Sequence, residues 1–454
     1  MKVGWFSDWI GIPSGFGTVS RNILTRLQAR GHHVSQLAVG WSPWKSYTAM
    51  EDPRDKAKFV ELAQGDTPTW ELSEALQKMQ GGIPVYEVTG HDTRGGQECL
   101  GKWIKRENPD VMVMLSDVWV TAYFTMTALQ GEMPCPIVYY QPLDGCVEGR
   151  KLPWHTFYRG NTGDFRQIKW ESIFCAQDNT VFYGPWARDL VLENLPGAVQ
   201  DVVADRFHVI PHGVNTDLYQ PRPTGYCRKL IGIPETAFVV GMVATNQGRK
   251  RWPEICQAMG RFMALHPNCY FVPWTSFNTN MDGWNFHRLM ELYLPQDRVI
   301  FDANMQQGKH IPEDRLALLY GALDVHVLWH AGEGCGLPHL EAQACGRPAL
   351  AVDYAGITDY FSDDWCRVGW DHSVVGAGNC IERVYGDQAA LLEKLEVLYH
   401  DPVLRARLGE SGKQYAREHW EWDDIVDQWE THLQNVISGG KREPYVYPQA
   451  RSAE

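Results

Sequence analysis

Long apolar runs and an excess of positive charge are both missing from this sequence. No stretch approaches the roughly 18–20 apolar residues that span a bilayer, and the chain starts with a strand-like run, Lys2–Ser7, where a signal peptide would have an apolar segment. We therefore expect a cytoplasmic protein with at most peripheral membrane contact. Its 42 lysines and arginines are outnumbered by 55 aspartates and glutamates, for a net charge of −13. That balance disfavours nucleic acid as a partner without excluding a local basic groove.

Cysteine is present but lacks the spacing of a disulfide framework or a metal site. The 11 cysteines are odd in number and include no CxxC pair and no Cys/His ligand spacing. We interpret them as reduced thiols, many of them buried, as is usual in the cytoplasm.

The length and the pattern of apolar residues predict two α/β domains. A chain of 454 residues is too long for one ordinary core, and strand-length apolar runs alternate with helical patterns in both halves, as in doubly wound parallel sheets. Residues 41–80 are predicted to be an excursion from the first sheet. The strands predicted in the second half are Phe238–Ala244, Tyr270–Pro273, Arg298–Asp302 and Asp324–Leu328.

A glycine loop follows the first predicted strand. Gly15 and Gly17 lie between Lys2–Ser7 and a helix whose apolar residues recur at helical spacing. A strand, a glycine loop and a helix N-terminus together form an anion-binding arrangement, and open parallel sheets bind ligands at this edge. We take both glycines as candidate ligand-binding residues, although such loops also occur where a helix simply packs close to a strand.

The most informative stretch is His330–Pro348. Three glycines in five positions follow a strand, and the proline after them suits the first turn of a helix. The backbone N–H groups of Gly336 and Leu337 are therefore expected to form an anion cradle at a helix N-terminus. Glu333 and Glu341 bracket this phosphate-sized site, as the hydroxyls of a nucleotide-sugar require. The alternative is an ordinary strand-to-helix turn with both glutamates in water.

Two other loops contain charged candidates. Arg249, Lys250 and Arg251 follow a predicted strand, where three cations are well placed to neutralise a diphosphate, although a charge run is usually a solvated surface. Asp144 stands beside a glycine after another predicted strand. That pattern is also typical of a plain Asp-Gly turn.

Several of these segments resemble glycosyltransferase family 4. Residues 333–348 are similar to its E-x7-E signature, EGFGLPxLEAMAxGxPVV, at eleven positions. Residues 209–221, VIPHGVNTDLYQP, resemble the family's crossover between domains, where His212 either caps the hinge or has a functional role. Lys250 aligns with the lysine of the GRxxxxKG element, whose arginine is absent here, and Asp144 resembles the acid of the PxDG loop in some relatives.

The resemblance implies a GT-B fold, with two Rossmann-like doubly wound parallel-sheet domains facing each other across a cleft. We place the acceptor-side domain at 1–215 and the nucleotide-sugar-binding domain at 216–415. A terminal helix, 416–437, is expected to pack back on the first domain, and 438–454 to be a tail.

The implied activity is that of a retaining hexosyltransferase that uses a UDP- or GDP-linked sugar as donor and needs no cofactor or metal. The lack of a clear DxD motif in the second half agrees with this. Glu333 would orient the sugar, Lys250 would stabilise the departing diphosphate, and Asp144 would approach the sugar. The expected donor-binding residues are Gly15, Gly17, Arg249, Arg251, Gly334, Cys335, Gly336, Leu337 and Glu341.

The base is expected to lie at the loop 302–311, but its identity is open, and so is the acceptor. A glycan, a lipid, a small molecule, a protein or a hydroxymethylated nucleic-acid base all remain compatible. The alternative functions are a sugar-nucleotide epimerase or glycan phosphorylase on the same fold, and a non-catalytic nucleotide-binding module. A glycosidase is disfavoured because it has no use for a phosphate cradle.

Overall fold

The chain forms two compact units. The N-terminal unit contains Met1–Pro142, Lys151–Ile210 and Asp423–Glu454, and the C-terminal unit contains Leu143–Arg150 and Pro211–Trp422. The computed structural model describes residues 1–12, 14–40, 57, 60–61, 82–88, 97–129, 131, 133–147, 150–152, 156–159, 165–168, 170–277, 283–301, 312–376 and 381–440.

The N-terminal unit is built on a seven-stranded parallel sheet in the order β3-β2-β1-β4-β5-β8-β9. The strand order runs outward in both directions from β1, as in a doubly wound sheet. Its strands are β1 (Lys2–Asp8), β2 (His33–Val39), β3 (Val85–Glu87), β4 (Val111–Leu115), β5 (Ile137–Gln141), β8 (Asn179–Phe182) and β9 (Phe207–Val209). A separate antiparallel hairpin joins β6 (Thr156–Arg159) to β7 (Phe165–Ile168).

Helices connect the strands of this sheet. They are α1 (Gly15–Ala29), α2 (Gln97–Glu107), α3 (Val118–Leu129), α4 (Trp170–Ala176), α5 (Pro185–Glu193) and α6 (Gly197–Val203). Helix α1 shows why they form where the sequence predicts. Its apolar residues at helical spacing, including Val19, Ile23 and Leu27, are fully buried, and the Ser14 hydroxyl caps its first turn by accepting a hydrogen bond from the Gly17 amide at 3.0 Å.

The C-terminal unit contains a second parallel sheet, with five strands in the order β11-β10-β12-β13-β14. The strands are β10 (Phe238–Val243), β11 (Cys269–Trp274), β12 (Val325–Leu328), β13 (Ala349–Val352) and β14 (Arg367–Val368). The helices are α7 (Thr224–Ile231), α8 (Trp252–Leu265), α9 (Phe286–Tyr293), α10 (Glu313–Ala322), α11 (Leu337–Ala344), α12 (Gln388–His400) and α13 (Pro402–His419).

An antiparallel hairpin, which the sequence did not predict, follows this sheet. It pairs β15 (Trp370–Val375) with β16 (Glu382–Gly386). The outer strand is largely exposed, whereas Val384 on the inner strand is fully buried. Strand β16 therefore packs against the body of the C-terminal unit.

The last helix, α14 (Trp422–Gly439), belongs to the N-terminal unit from Asp423 onward. The Trp429 ring packs edge-on against Trp5 and Tyr140 at centroid distances of 5.7 and 4.7 Å. These three rings are completely buried. The apolar face of the helix thus anchors the C-terminal end of the chain to strands β1 and β5.

The structure confirms the prediction of two Rossmann-like parallel-sheet α/β domains. One strand prediction is wrong: of Arg298–Asp302, only Val299 pairs in the described part, in an isolated bridge with Phe271. A 3-10 turn at Gln296–Arg298 takes up the residues that a longer pairing with β11 would need.

Three predicted features fall wholly or largely on residues that the structure does not describe. The excursion at 41–80, except for residues 57, 60 and 61, the base loop at 302–311, and positions 441–454 of the tail lie outside the described residues. Among the helices that the structure describes, none combines the length and apolar character needed to cross a membrane.

Candidate active site

The site is organised by the loop between β12 and α11 in the C-terminal unit. Three backbone hydrogen bonds hold this loop from different sides. The Ala331 amide donates to the Arg249 carbonyl at 2.7 Å, the Val384 amide to the Ala331 carbonyl at 3.2 Å, and the Ile357 amide to the Glu333 carbonyl at 3.2 Å. The loop is therefore fixed by the segment after β10, by the hairpin strand β16, and by the turn after β13.

Gly336 sets the direction in which α11 leaves this loop. Its φ of +78° lies in the left-handed region, and a Cβ there would sit 2.7 Å from Leu328 Cδ2. Both facts require glycine. Helix α11 then begins at Leu337 with a proline in its first turn. The predicted arrangement of glycine turn, helix N-terminus and proline is present, and its N–H groups are those that bind anions at helix starts.

Glu333 lies in a cluster with two cations. Its Oε2 accepts from Arg249 Nη1 at 2.9 Å and from Lys250 Nζ, and Arg249 also donates to the Gly332 carbonyl at 3.1 Å. The exposed fractions of the side chains are 11% for Glu333, 7% for Lys250 and 30% for Arg249. Lys250 and Arg249 are 83 and 84 positions away from Glu333 in the sequence, and the fold brings both into direct contact with it.

The pKa values in this cluster show which groups are charged. Burial by itself would raise the pKa of Glu333, but Arg249 and Lys250 outweigh it and hold that pKa far below the usual value. Burial, reinforced by Arg249 and partly opposed by Glu333, lowers the pKa of Lys250 to about 8. At neutral pH Glu333 is thus a carboxylate, not a proton donor, and Lys250 is still mostly an ammonium.

Asp144 joins the same cluster. Its Oδ2 is 4.0 Å from Arg249 Nε and accepts from Arg383 Nη1 at 3.3 Å. Because Asp144 belongs to the C-terminal unit with both arginines, these contacts lie within one unit. The sequence did not single out Arg383, which lies on β16 in a segment without a recognisable motif.

Arg251 lies apart from the carboxylates of the cluster. Its guanidinium is 3.9 Å from the centroid of the Tyr385 ring, and its Nη1 is 3.6 Å from Glu254. Its φ of +48° is left-handed, and it immediately precedes α8. These contacts indicate that Arg251 fixes the start of α8 against strand β16.

Glu341 is half-buried on α11, next to a pair of tyrosines. Its Oε2 accepts from the Tyr320 hydroxyl at 2.8 Å, and the ring of Tyr219 lies 5.9 Å from that of Tyr320. Burial, and next the charge of Glu341, raise the pKa of both hydroxyls well above the usual value, so both remain donors. The two tyrosines escaped the sequence analysis because they come from separate segments.

The remaining candidates in the loop and at the start of α11 are Gly334, Cys335 and Leu337, whose part in binding a donor stays a prediction. Burial raises the pKa of the Cys335 thiol well above its ordinary value, which keeps this side chain a neutral thiol. The backbones of Gly334 and Gly356 pack closely, because a Cβ on Gly356 would lie 2.3 Å from the Gly334 carbonyl oxygen. Leu337 is half-buried at the first position of α11.

Three buried histidines lie near the loop. Burial lowers the pKa of His212, His330 and His339 to about 3, so all three are neutral. Glu333 opposes this shift at His212 and His330 without reversing it. His212 is therefore close enough to feel the charge of Glu333. A functional role for it stays a prediction.

The two N-terminal candidates lie in the other unit. Gly17 is packed so closely that a Cβ would be 2.4 Å from the Ile12 carbonyl oxygen, whereas Gly15 has nothing within 4 Å of such a Cβ. Both stand at the start of α1, behind the carboxyl end of β1. Their part in binding a donor stays a prediction. Across the described ranges of both units, no three His, Cys, Asp or Glu side chains are grouped to hold a metal ion.

Comparison with known proteins shows that the region around this site is similar to glycosyltransferases. Residues 228–415, which contain Glu333, Glu341 and the cations Arg249 and Lys250 but not Asp144, match the family Glycosyl transferases group 1. The D-inositol 3-phosphate glycosyltransferase of Acidothermus cellulolyticus is 27% identical over 268 residues, 58% of this chain and 54% of that protein. Its counterpart in Stackebrandtia nassauensis is 26% identical over 250 residues, 53% and 52% of the two chains. This chain spans about half the length of these curated relatives.

Solved structures resemble the protein over 96% of its length. They include sucrose-phosphate synthase from Thermosynechococcus elongatus, with a TM-score of 0.66, 18% identity and 99% of that chain covered. Anabaena HepE in complex with UDP-glucose has a TM-score of 0.61 at 14% identity, with 100% of that chain covered. At such identities the likeness establishes the fold alone, and it confirms the predicted GT-B class. The relation to group 1 glycosyltransferases is confirmed for residues 228–415, whereas membership of family 4 stays a prediction.

Proposed function

We propose that the protein is a retaining, metal-independent glycosyltransferase that moves a sugar from a nucleotide-diphosphate-sugar to an acceptor hydroxyl. One observation carries this proposal: the ionised Glu333 carboxylate is buried against Lys250 and Arg249, in the loop that leads into α11. Two cations that contact a carboxylate, in a loop that leads into a helix N-terminus, suit a ligand that carries a diphosphate beside a sugar.

The chemistry needs a place for the negative charge that leaves with the diphosphate. When the C1–O bond of the donor breaks, its electron pair goes to the phosphate oxygen, and Lys250, Arg249 and the amides at the start of α11 would stabilise that charge. The acceptor oxygen would form its bond to C1 on the same face of the sugar, and its proton would pass to the departing phosphate. No step requires a protein acid, which agrees with the low pKa of Glu333.

Glu333 would act on the sugar. Because its carboxylate stays ionised, it would orient the sugar hydroxyls and support the positive charge that develops on the ring. Asp144, which shares Arg249 with Glu333, would approach the sugar from the same cluster. Glu341 would accept hydrogen bonds from the ribose hydroxyls, with its carboxylate oriented by Tyr320.

The geometry also favours one arginine over the other for the diphosphate. Arg249 shares the Glu333 carboxylate with Lys250, whereas Arg251 is occupied by Tyr385 and Glu254. We therefore assign Arg249 the role that the family gives to the arginine missing from this sequence.

The relatives guide the choice of substrates. The complex of Anabaena HepE with UDP-glucose makes UDP-sugars the first donors to test. The name D-inositol 3-phosphate glycosyltransferase makes a phosphorylated polyol the first acceptor to test. A local cationic pocket for such an acceptor would be compatible with the net charge of −13.

The experiment is a panel of UDP-, GDP- and ADP-sugars, scored by release of nucleoside diphosphate, first alone and then with phosphorylated polyols, simple sugars and glycolipids. Wild type is compared with Glu333→Gln and with Glu291→Gln, which alters an exposed ion pair on α9. We expect acceptor-dependent release that Glu333→Gln abolishes and Glu291→Gln preserves, and a product whose anomeric configuration by NMR matches the donor. Absence of both turnover and nucleotide binding across the panel would refute the proposal. Inversion at C1 would refute the retaining mechanism.

A further inference from the structure

The segment Leu143–Val147, which contains Asp144, is held in place by hairpin strand β16 and by Tyr354. The Glu382 amide donates to the Cys146 carbonyl at 2.9 Å. The Tyr354 hydroxyl accepts from the Cys146 amide at 3.4 Å and donates to the Glu382 carbonyl at 3.3 Å. Backbone contacts therefore fix the middle of the segment to β16 whatever side chain stands at position 144.

Two glycines make room for this close packing. A Cβ on Gly332 would lie 2.2 Å from the Asp144 carbonyl oxygen and 2.6 Å from Arg383 Nη1. A Cβ on Gly145 would lie 2.4 Å from the Ile381 side chain. The segment thus rests on the backbone of the Glu333 loop on one side and on the start of β16 on the other.

The Arg383 side chain connects strand β16 to the charged residue of this segment, Asp144. Its Nη1 donates to both the carboxylate and the carbonyl of Asp144, at 3.3 and 3.5 Å. Across the part of the chain that the structure describes, the ion pair and the hydrogen bonds of the Arg383 side chain are all made to Asp144. The exposed fraction is 19% for the Arg383 side chain and 30% for Asp144.

Successive ion pairs connect five side chains of alternating charge, in the order Lys250, Glu333, Arg249, Asp144 and Arg383. Without Arg383, the ion pairs described for Asp144 would be reduced to the one with Arg249, at 4.0 Å, beside the weaker influence of the Lys250 charge. A diphosphate that draws Arg249 to itself would then leave the Asp144 carboxylate next to new negative charge, and the aspartate would turn away. With Arg383 present, the carboxylate keeps a partner when Arg249 is shared.

We propose that Arg383 is a positioning residue that keeps Asp144 directed at the sugar while Arg249 binds the diphosphate. This inference rests on the proposed function. It assigns hairpin β15–β16 a part in building the sugar-facing side of the site. Arg383 acts through Asp144 and is not expected to touch the nucleotide.

The test uses the full chain with Arg383→Ala, Arg383→Lys, Asp144→Asn and the double variant Arg383→Ala/Asp144→Asn. The matched control is Arg288→Ala, which removes an arginine paired with Glu291 at an exposed position on α9. Turnover is measured with the donor sugar that the panel identifies. Binding of the corresponding nucleoside diphosphate alone is measured by calorimetry, and deuterium uptake of residues 143–150 by mass spectrometry.

We expect Arg383→Ala to lower kcat on the order of tenfold to hundredfold, as the misplacement of a reacting group does, and to leave nucleoside diphosphate affinity within about twofold. Uptake should rise in residues 143–150 and stay unchanged elsewhere. The double variant should be no slower than the slower single variant, because both changes remove one interaction. Arg383→Lys should recover part of the rate, since an ammonium can still pair with Asp144.

Several results would overturn the assignment. These are an unchanged kcat, unchanged uptake in residues 143–150, additive losses in the double variant, or a lowered melting temperature with uptake rising throughout the C-terminal unit. If the wild-type chain turns over no donor sugar, the proposed function fails and this assignment fails with it. If the wild type is active and Arg383→Ala behaves as Arg288→Ala, only the assignment of Arg383 is wrong.

Discussion

The Lys250 ammonium contacts the Glu333 carboxylate inside the C-terminal unit, where 7% and 11% of the two side chains are exposed. A buried ion pair of this kind costs desolvation energy that the attraction between the two charges only partly offsets. Stability alone therefore does not explain why this ion pair lies beside Arg249 in the loop before α11. A negatively charged ligand that shares the two cations would explain it.

Lys250→Ala is expected to lower kcat by about a hundredfold, or on the order of 3 kcal/mol, because its contact with the diphosphate strengthens as charge builds up on the leaving group. Arg249→Ala should also reduce turnover, but less. Arg251→Ala should mainly lower the melting temperature, since Arg251 packs on Tyr385 at the start of α8. The measurements are kcat and the melting temperature for all three variants. A near-normal kcat for Lys250→Ala beside an inactive Arg251→Ala would show that the roles are misassigned.

The pH dependence follows from the lowered pKa of Lys250. Below pH about 8 the side chain is charged in the free protein, and above it the ammonium is lost. We therefore expect kcat/KM to fall as pH rises through about 8. The corresponding limb of kcat should lie at higher pH, because a bound diphosphate favours the charged form. Lys250→Arg should shift the limb in kcat/KM to higher pH, since arginine remains protonated. An identical limb in that variant would assign the titration to another group.

Folding stability should change in the opposite sense over the alkaline range. Because the pKa of Lys250 is lowered on folding, the unfolded chain binds more protons than the folded chain between pH about 8 and the ordinary lysine value near 10.5. The contribution of this one group to the free energy of unfolding therefore rises with pH in that window. Urea denaturation of wild type and Lys250→Met at pH 7.5 and 9.5 isolates it: the free energy of unfolding of wild type minus that of the variant should be larger at the higher pH. A constant difference would contradict the lowered pKa.

Glu341→Gln is expected to raise the KM for the donor with little change in kcat. A contact with the ribose is made equally in the ground state and the transition state, so its loss weakens binding alone. Tyr320→Phe, which removes the hydrogen bond to Glu341, should raise KM in the same direction by a smaller factor. Steady-state kinetics with varied donor decide the matter. A collapse of kcat at constant KM would exclude the ribose assignment.

Turnover is expected to survive EDTA, because side-chain cations and helix amides would take the place of a divalent ion. The assay compares initial rates with and without chelator, followed by added Mg²⁺ or Mn²⁺. Loss of activity on chelation and its return with either ion would rule out the metal-independent mechanism.

The sequence alone determined the features that depend on local pattern. Apolar periodicity predicted the helix after the first glycine loop, and α1 forms there with Val19, Ile23 and Leu27 on its buried face. The glycines and proline between β12 and α11 likewise specified the turn and the helix start. Gly336 needs a left-handed φ and proline a helical one, and these are properties of single residues.

What the sequence could not supply was the set of residues that meet in the cluster around Glu333 and Asp144. Lys250 and Arg383 are 83 and 50 positions away from Glu333, and no local rule states that β10 and β16 bring them to one loop. The pattern Arg249-Lys250-Arg251 predicted three cations at the diphosphate, with Lys250 stabilising its departure and both arginines binding the donor. Tertiary packing separated them, because the left-handed turn at Arg251 directs its side chain to Tyr385 while the two residues before it meet Glu333. Local sequence thus determined the turns and helices, and only packing between distant segments decided which charges share a buried carboxylate.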